Sequence, residues 1–325
     1  MAGGRVRIKV LSGIFGPSLA PQTVADRYEF VYDPACAEYD WLVVYDELPS
    51  GMPFETLRCP WARTILATWE PVSIKSYSRA YTRQFGHLLT NRPPEAEGHP
   101  HYHLGRGYFV WFVHDVPAVG LAGPKEKGLS VVCSAKRMTH TRHGDRFRLV
   151  ETLAREIPGL DWFGKGVRPL ARKEEALLPY RYHVAVENHL APHHWTEKFA
   201  DAILCECLPF YAGDPALAEV MPPESFIPIP LDDPAAAVRL VKEAMARDEY
   251  SRRREAVLEA KRRLLGRYNF WRQVIDVVES AADGGEAADG GEGRRLYARK
   301  ALRRHSLSAA AEDGWSHVRR FLRWE

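Results

Sequence analysis

Two short groups of polar residues interrupt an otherwise apolar stretch, "YRYHVAVENHLAPHHWTEKFADAILCECLPFYAG", that runs from Tyr180 to Gly213. Glu187-Asn188 follows one apolar run, and Thr196-Glu197-Lys198 opens the next. A Thr before a helical pattern is an N-cap. The helix start behind it offers free N–H groups and a partial positive charge that attract phosphate. Lys198 in the first turn works against the helix dipole, a misfit that a bound anion offsets. Arg146 takes the corresponding place at the start of an earlier helix. Two cations on strand-to-helix turns suit a diphosphate leaving group, whose charge grows as its bond breaks. The plainer alternative is local pairing, Lys198 with Glu197 and Arg146 with Asp145. Glu70 ends a further apolar run, "RTILATWE". A carboxylate there can act as a general base or simply cap the segment that follows.

The elements that must position these groups alternate between strand and helix patterns. "RVRIKV" (5–10) reads as a half-buried strand with Val6, Ile8 and Val10 inward. "DWLVVYDE" (40–47) and "RTILATWE" (63–70) are continuous apolar runs, as in central parallel strands. Residues 74–85 read as helix and 108–116 as strand. The Gly- and Pro-containing "GLAGPKEKG" (120–128) reads as a linker. The rhythm then restarts with strands at 129–136, 160–166, 181–188, 208–213 and 225–229. Helices are expected over 145–157, 196–206, 233–265 and 268–278. This pattern predicts two Rossmann-like, doubly wound α/β domains facing a cleft. In such sheets ligands sit beyond the carboxyl ends of strands, where Glu187 and Asn188 fall. The expected division is 1–122 and 123–280, then the low-complexity linker "AADGGEAADGGEG" (281–293) and a basic tail (294–325).

The 325 residues suit two domains, and no apolar run approaches the roughly 18–20 residues of a membrane span. "MAGGRVRIKVLSG" lacks the apolar core of a signal peptide, and the five scattered cysteines read as reduced thiols, so a cytoplasmic setting is expected. Net charge is +3, yet residues 294–325 hold nine basic and three acidic side chains, leaving the body mildly acidic. That distribution argues against a dedicated nucleic-acid binder. Leu296, Tyr297, Leu302, Trp315, Val318, Phe321, Leu322 and Trp324 are interleaved with arginines. They suit either a helix docked on the body or a segment touching anionic lipid at the inner membrane surface, near lipid-linked or lipopolysaccharide acceptors.

The ordered series Tyr180-Arg181-Tyr182, Val186-Glu187-Asn188, Thr196-Glu197-Lys198, Leu208 to Gly213 and Ser225-Phe226-Ile227 resembles the signature of the α1,3/4-fucosyltransferase family. "SVVCSAK…DRFRLVETL" and "ATWEPVS" resemble flanking parts of that family, so the likeness spans about 1–280. It implies a GT-B architecture with an acceptor domain first and a GDP-sugar domain second. The implied reaction is inverting transfer of L-fucose from GDP-fucose to a glycan hydroxyl, of α1,3/α1,4 type. No metal is implied as obligatory, and a divalent cation would at most stimulate. By the resemblance, Glu70 is the general base and Glu197 steadies the fucose. Arg146 and Lys198 hold the diphosphate. Asn188, Glu187, Thr196, His194, Ser134 and Tyr182 complete the donor side. His194, followed by Trp195, stands where the family has Tyr. His189 and Ala135 likewise replace the common Ser/Thr and Asn. The alternatives are transfer of another GDP-linked sugar, or an inactive sugar-nucleotide-binding protein. A metal hydrolase built on His99, His101, His103, His193 and His194 ranks well below these, since no carboxylate or thiolate frame accompanies them.

Overall fold

The computed structural model describes residues 5–13, 27–71, 74–107, 111–135, 142–283 and 293–312. The chain forms two compact units, one of residues 1–106 with 270–325, the other of 107–269.

The first unit begins with β1 (Val6–Leu11), β2 (Tyr28–Val31), β3 (Trp41–Tyr45), β4 (Phe54–Thr56), β5 (Thr64–Thr68), β6 (His87–Thr90) and β7 (Tyr102–Leu104). Six of these make a parallel sheet ordered β2-β1-β3-β5-β6-β7. The apolar runs of β3 and β5 are buried at every position, as covered central strands require. β1 differs from its half-buried expectation. It lies between β2 and β3, and Lys9 is buried because its ammonium bonds Glu55 at 2.8 Å and the Cys36 carbonyl at 2.9 Å. The helix expected over 74–85 shortens to α1 (Arg79–Thr82), capped by Ser78. A second short helix, α2 (Pro94–Glu97), ends at left-handed Gly98.

The second unit carries β8 (Lys127–Val132), β9 (Leu160–Phe163), β10 (Tyr180–Val186), β11 (Leu208–Ala212) and β12 (Ile227–Pro228), all parallel, in the order β12-β11-β10-β8-β9. Between them run α3 (His143–Glu156) and α4 (Glu197–Leu204). After β12 come α5 (Pro234–Ala246), α6 (Glu249–Arg252) and α7 (Arg254–Leu265). In this order β8 and β10, whose connections depart in opposite directions, adjoin at the centre; that is the position where such sheets bind ligands. Residues 111–116 are not a strand, and 108–110 of that expected strand lie outside the described residues. The segment 120–128 is no free linker. Lys125 is buried with its ammonium on the carbonyls of Cys205 and Leu177, and the Gly120 N–H bonds Glu206.

The chain then returns to the first unit, a departure from the 122/123 and 280/281 boundaries. α8 (Phe270–Asp283) is the reason for the later one: its apolar stripe meets the first sheet, Phe270 against Tyr45 and Trp271 against Phe30. β13 (Arg295–Tyr297) pairs antiparallel with β4, and α9 (Arg299–His305) follows. Leu296, Leu302 and Ala309 join the apolar cluster of Leu57, Leu66 and Tyr81. The described part of the basic tail is thus docked on the body. Trp315, Val318, Phe321, Leu322 and Trp324, with 284–292 of the low-complexity segment, lie outside the described residues. No helix among the described residues is long and apolar enough to cross a membrane.

Leu296 is 1% exposed. Leu296→Ala should therefore destabilise the protein by about 2–5 kcal/mol in denaturant unfolding. A loss under about 0.5 kcal/mol, as at a solvated surface position, would mean that the segment is not part of the core.

Candidate active site

The second unit collects most of the residues singled out above at the carboxyl ends of β8 and β10. The register of β10 on β11 pairs Val186 with Ala212, so Glu187 and Gly213 emerge side by side. Glu187 is fully buried, and its N–H bonds the Ala212 carbonyl. Its carboxylate accepts the Thr196 N–H at 2.8 Å and the Thr196 hydroxyl at 2.6 Å. Thr196 is the N-cap of α4, with extended backbone and its hydroxyl accepting from the Lys198 N–H. One carboxylate thus ties the end of a strand to the start of a helix. Gly213 is required here by close approach: a Cβ on it would stand 2.5 Å from Glu187 Cγ and 2.2 Å from the Tyr211 hydroxyl.

Lys198 answers the pairing question raised by the sequence. Its ammonium lies 2.9 Å from Glu197 and 3.5 Å from Glu187, so the dipole misfit is offset by two carboxylates. Burial works to lower its pKa, but Glu197 and then Glu187 outweigh it and the pKa is raised. Burial alone would raise Glu197; Lys198 and Lys173 override it and hold that carboxyl at about 2. Burial pushes Glu187 upward, against the pull of Lys198.

Arg146 does not pair with Asp145, which is taken by Arg142 and Arg148. From the first turn of α3 its guanidinium bonds the Asn188 side-chain carbonyl and the Val132 carbonyl, each at 2.8 Å. It therefore bridges the ends of β8 and β10. Arg146 and Lys198 are near enough that Arg146 lowers the affinity of Lys198 for its proton. Ser134 lies just past β8, beside Gly164. His194 is buried and meets His189 edge to face.

Two expected contributors, Tyr182 and Glu70, lie elsewhere, as does the neighbouring Trp195. Tyr182 sits low on β10 in the core, stacked on Phe210, its hydroxyl accepting from the Tyr250 N–H. Trp195 is fully buried in the core against Phe199 and Tyr268. Glu70 belongs to the first unit, two residues past β5, and its backbone carbonyl accepts from Arg92. Among the described residues no three His, Cys, Asp or Glu side chains converge as a metal-binding group. His87 and His103 share a hydrogen bond at 3.1 Å instead.

Two features had no sequence signal. Lys173, from an aperiodic charged stretch, bonds the buried Asp201 at 2.6 Å and the Glu197 carbonyl at 3.3 Å, bracing the first turns of α4. A cavity of about 400 Å³ opens beyond β11 and β12, lined by Arg142, Tyr211, Gly213, Asp214, Phe226 and Asp232 among others. Such a volume is in the range of small-ligand sites. Gly213 and Arg142, whose N–H bonds the Asn188 carbonyl, join the cavity to the Glu187–Asn188 corner.

The Glu197 carboxyl sets a pH dependence. Its folded pKa lies below the ordinary value of 4.5, so the stabilisation is full above pH 4.5 and is lost as pH falls toward 2. In Lys198→Met the acid unfolding midpoint should move up by about one pH unit. An unchanged midpoint would show that Lys198 does not hold Glu197 ionised.

Comparison with known proteins finds the same fold. Residues 123–252 match the model of the glycosyltransferase family 10 (fucosyltransferase) C-terminal domain. A crystal structure of α1,3-fucosyltransferase with GDP-fucose is similar over 89% of this chain and 93% of that one, at a TM-score of 0.53 and 13% identity. The same enzyme type with GDP gives a TM-score of 0.54 at 14% identity, over 88% and 92% of the two chains. These matches place the two-unit architecture in the GT-B class. Residues 123–252 thus resemble a family 10 fucosyltransferase domain, and the chain shares the fold of these α1,3-fucosyltransferase structures.

Proposed function

We propose that the chain transfers L-fucose from GDP-fucose to a hydroxyl of a glycan acceptor, with inversion and α1,3/α1,4-type linkage. The observation that carries this reading is the meeting of Arg146, Asn188 and Lys198 where β8 and β10 adjoin, beside a cavity of about 400 Å³. The cavity takes the nucleoside. Arg146 and Lys198 face the diphosphate, Arg146 with N–H groups beyond those used inside the protein and Lys198 with the charge of its ammonium. Glu197, ionised and bound to Lys198, steadies the positive charge that develops on the sugar ring.

In the transfer step the acceptor oxygen forms a bond to the anomeric carbon as the bond from that carbon to the diphosphate oxygen breaks. The electron pair leaves with GDP, and the two side-chain cations stabilise it. The acceptor hydroxyl proton passes to Glu70. A single displacement inverts the anomeric centre and requires one base on the acceptor side. The diphosphate charge is met by protein cations, so the reaction proceeds without an obligatory metal.

The test is titration calorimetry with GDP, GDP-fucose, GDP-mannose and UDP-sugars, followed by transfer assays. GDP and GDP-fucose should bind in chelator, and Lys198→Ala should weaken both by roughly 10–100-fold. Glu70→Gln should keep GDP affinity and lower kcat by roughly 10²–10⁴. Full turnover in Glu70→Gln would remove its role as base. Preference for another GDP-sugar would replace fucose as the donor and direct attention to His194.

A further inference from the structure

The first unit repeats the strand order of the second, with β1 and β3 adjoining where β8 and β10 do. At its carboxyl edge, Asp46 follows β3 directly, in the left-handed region at φ 67°. Around it lie Glu47, Lys75, Tyr77, Tyr81, Arg92 and, from the returning C-terminal segment, Arg299. Lys75 bonds Asp46 at 2.6 Å and Glu47 at 3.3 Å. Arg92 bonds Glu97 and the carbonyls of Glu70 and Lys75, which puts the Glu70 backbone in the same cluster. Three cations surround the Tyr77 ring: Arg92 at 4.6 Å, Lys75 at 5.4 Å and Arg299 at 5.6 Å.

The cluster is incompletely satisfied. Asp46 Oδ1, the hydroxyls of Tyr77 and Tyr81, and Nε and Nη1 of Arg299 are all buried without a hydrogen-bond partner among the described residues. Tyr81 is 0% exposed. Native structures seldom bury polar atoms this way, and several together call for a partner such as an ordered water, an ion or a ligand. The chemistry required of those partners follows from the atoms. Asp46 Oδ1 accepts, the two tyrosines donate or accept, and these match the hydroxyls of a sugar. Lys75 and Arg92 already have carboxylates, whereas Arg299 makes no ion pair among the described residues. A guanidinium so placed calls for an anionic oxygen.

We propose that Asp46, Tyr77, Tyr81 and Arg299 form an acceptor subsite for an acidic sugar, with Arg299 selecting its carboxylate or phosphate. The assignment rests on the reading that the chain glycosylates a glycan. It gives the docked tail a function: β13 and α9 carry Arg299 into the subsite.

The test uses the full chain without donor. Saturation-transfer NMR would measure binding of methyl glucuronide, methyl glucoside 6-phosphate and methyl glucoside. At least one acidic glycoside should bind about tenfold more tightly than the neutral one, and which acid it is identifies the group recognised. Arg299→Met should remove the preference, Arg299→Lys should keep part of it, and Tyr81→Phe should weaken all three. Equal binding of neutral and acidic glycosides, or a preference unchanged in Arg299→Met, would overturn the proposal and leave the cluster a hydrated structural feature. Circular dichroism melts of each variant separate loss of the subsite from loss of the fold. If Arg299→Met does not fold, loss of the wild-type preference in high salt decides the same question, and a salt-insensitive preference overturns the proposal. GDP titration of the same protein is read separately: failure of GDP binding would sink the donor reading while the sugar preference stands on its own.

Discussion

The carboxylate of Glu187, held by the N–H and hydroxyl of Thr196, is the contact on which the donor-side geometry depends. Burying a carboxylate is expensive unless it is hydrogen-bonded and faced by a cation. Here the helix start supplies two donors, and Lys198 supplies the charge. The arrangement fixes where α4 begins, and with it the direction of the two residues in its first turn. It also accounts for Gly213, because the neighbouring strand must approach Glu187 too closely for any side chain.

The rest of the donor side is built around that corner by the same economy of charge. Lys198 lies between Glu197 and Glu187, and Lys173 anchors to Asp201 and the Glu197 carbonyl from the far side of the helix. Arg146 reaches across the ends of β8 and β10. Each cation is held in place by anions and carbonyls of the protein. In a partly buried setting, fixed charges of this kind act on a bound diphosphate with little reorganisation. The parallel strand order puts this edge at the centre of the sheet and leaves the cavity beside it.

Much of this was legible in the sequence, for physical reasons that differ from residue to residue. Thr196 as a cap and Lys198 in the first turn follow from local helix chemistry. β3, β5, β8, β10 and β11 follow from apolar runs too continuous for one-sided strands. Lys9 was not legible as buried, because its partner Glu55 is far away in sequence. Tyr182 and Trp195 sit in a motif whose neighbours face the ligand edge, yet strand alternation and position turn both inward. The docking of 294–305 was one of two readings that composition left open: arginines dominate the segment, while the few residues that decide its fate, Leu296 and Leu302, are ordinary in such a tail. The short strands β2, β4, β6 and β7 carry too few residues for a periodic signal. The cavity depends on the meeting of four stretches of chain, around Arg142, Leu190, Asp214 and Ile229, which no local pattern encodes.

A crystal structure of the chain with GDP tests the central claim most directly. The diphosphate oxygens should lie within hydrogen-bonding distance of both the Arg146 guanidinium and the Lys198 ammonium, with the guanosine in the cavity lined by Tyr211, Asp214 and Phe226. A diphosphate bound away from the start of α4, with the Glu187–Thr196 corner intact, would contradict it.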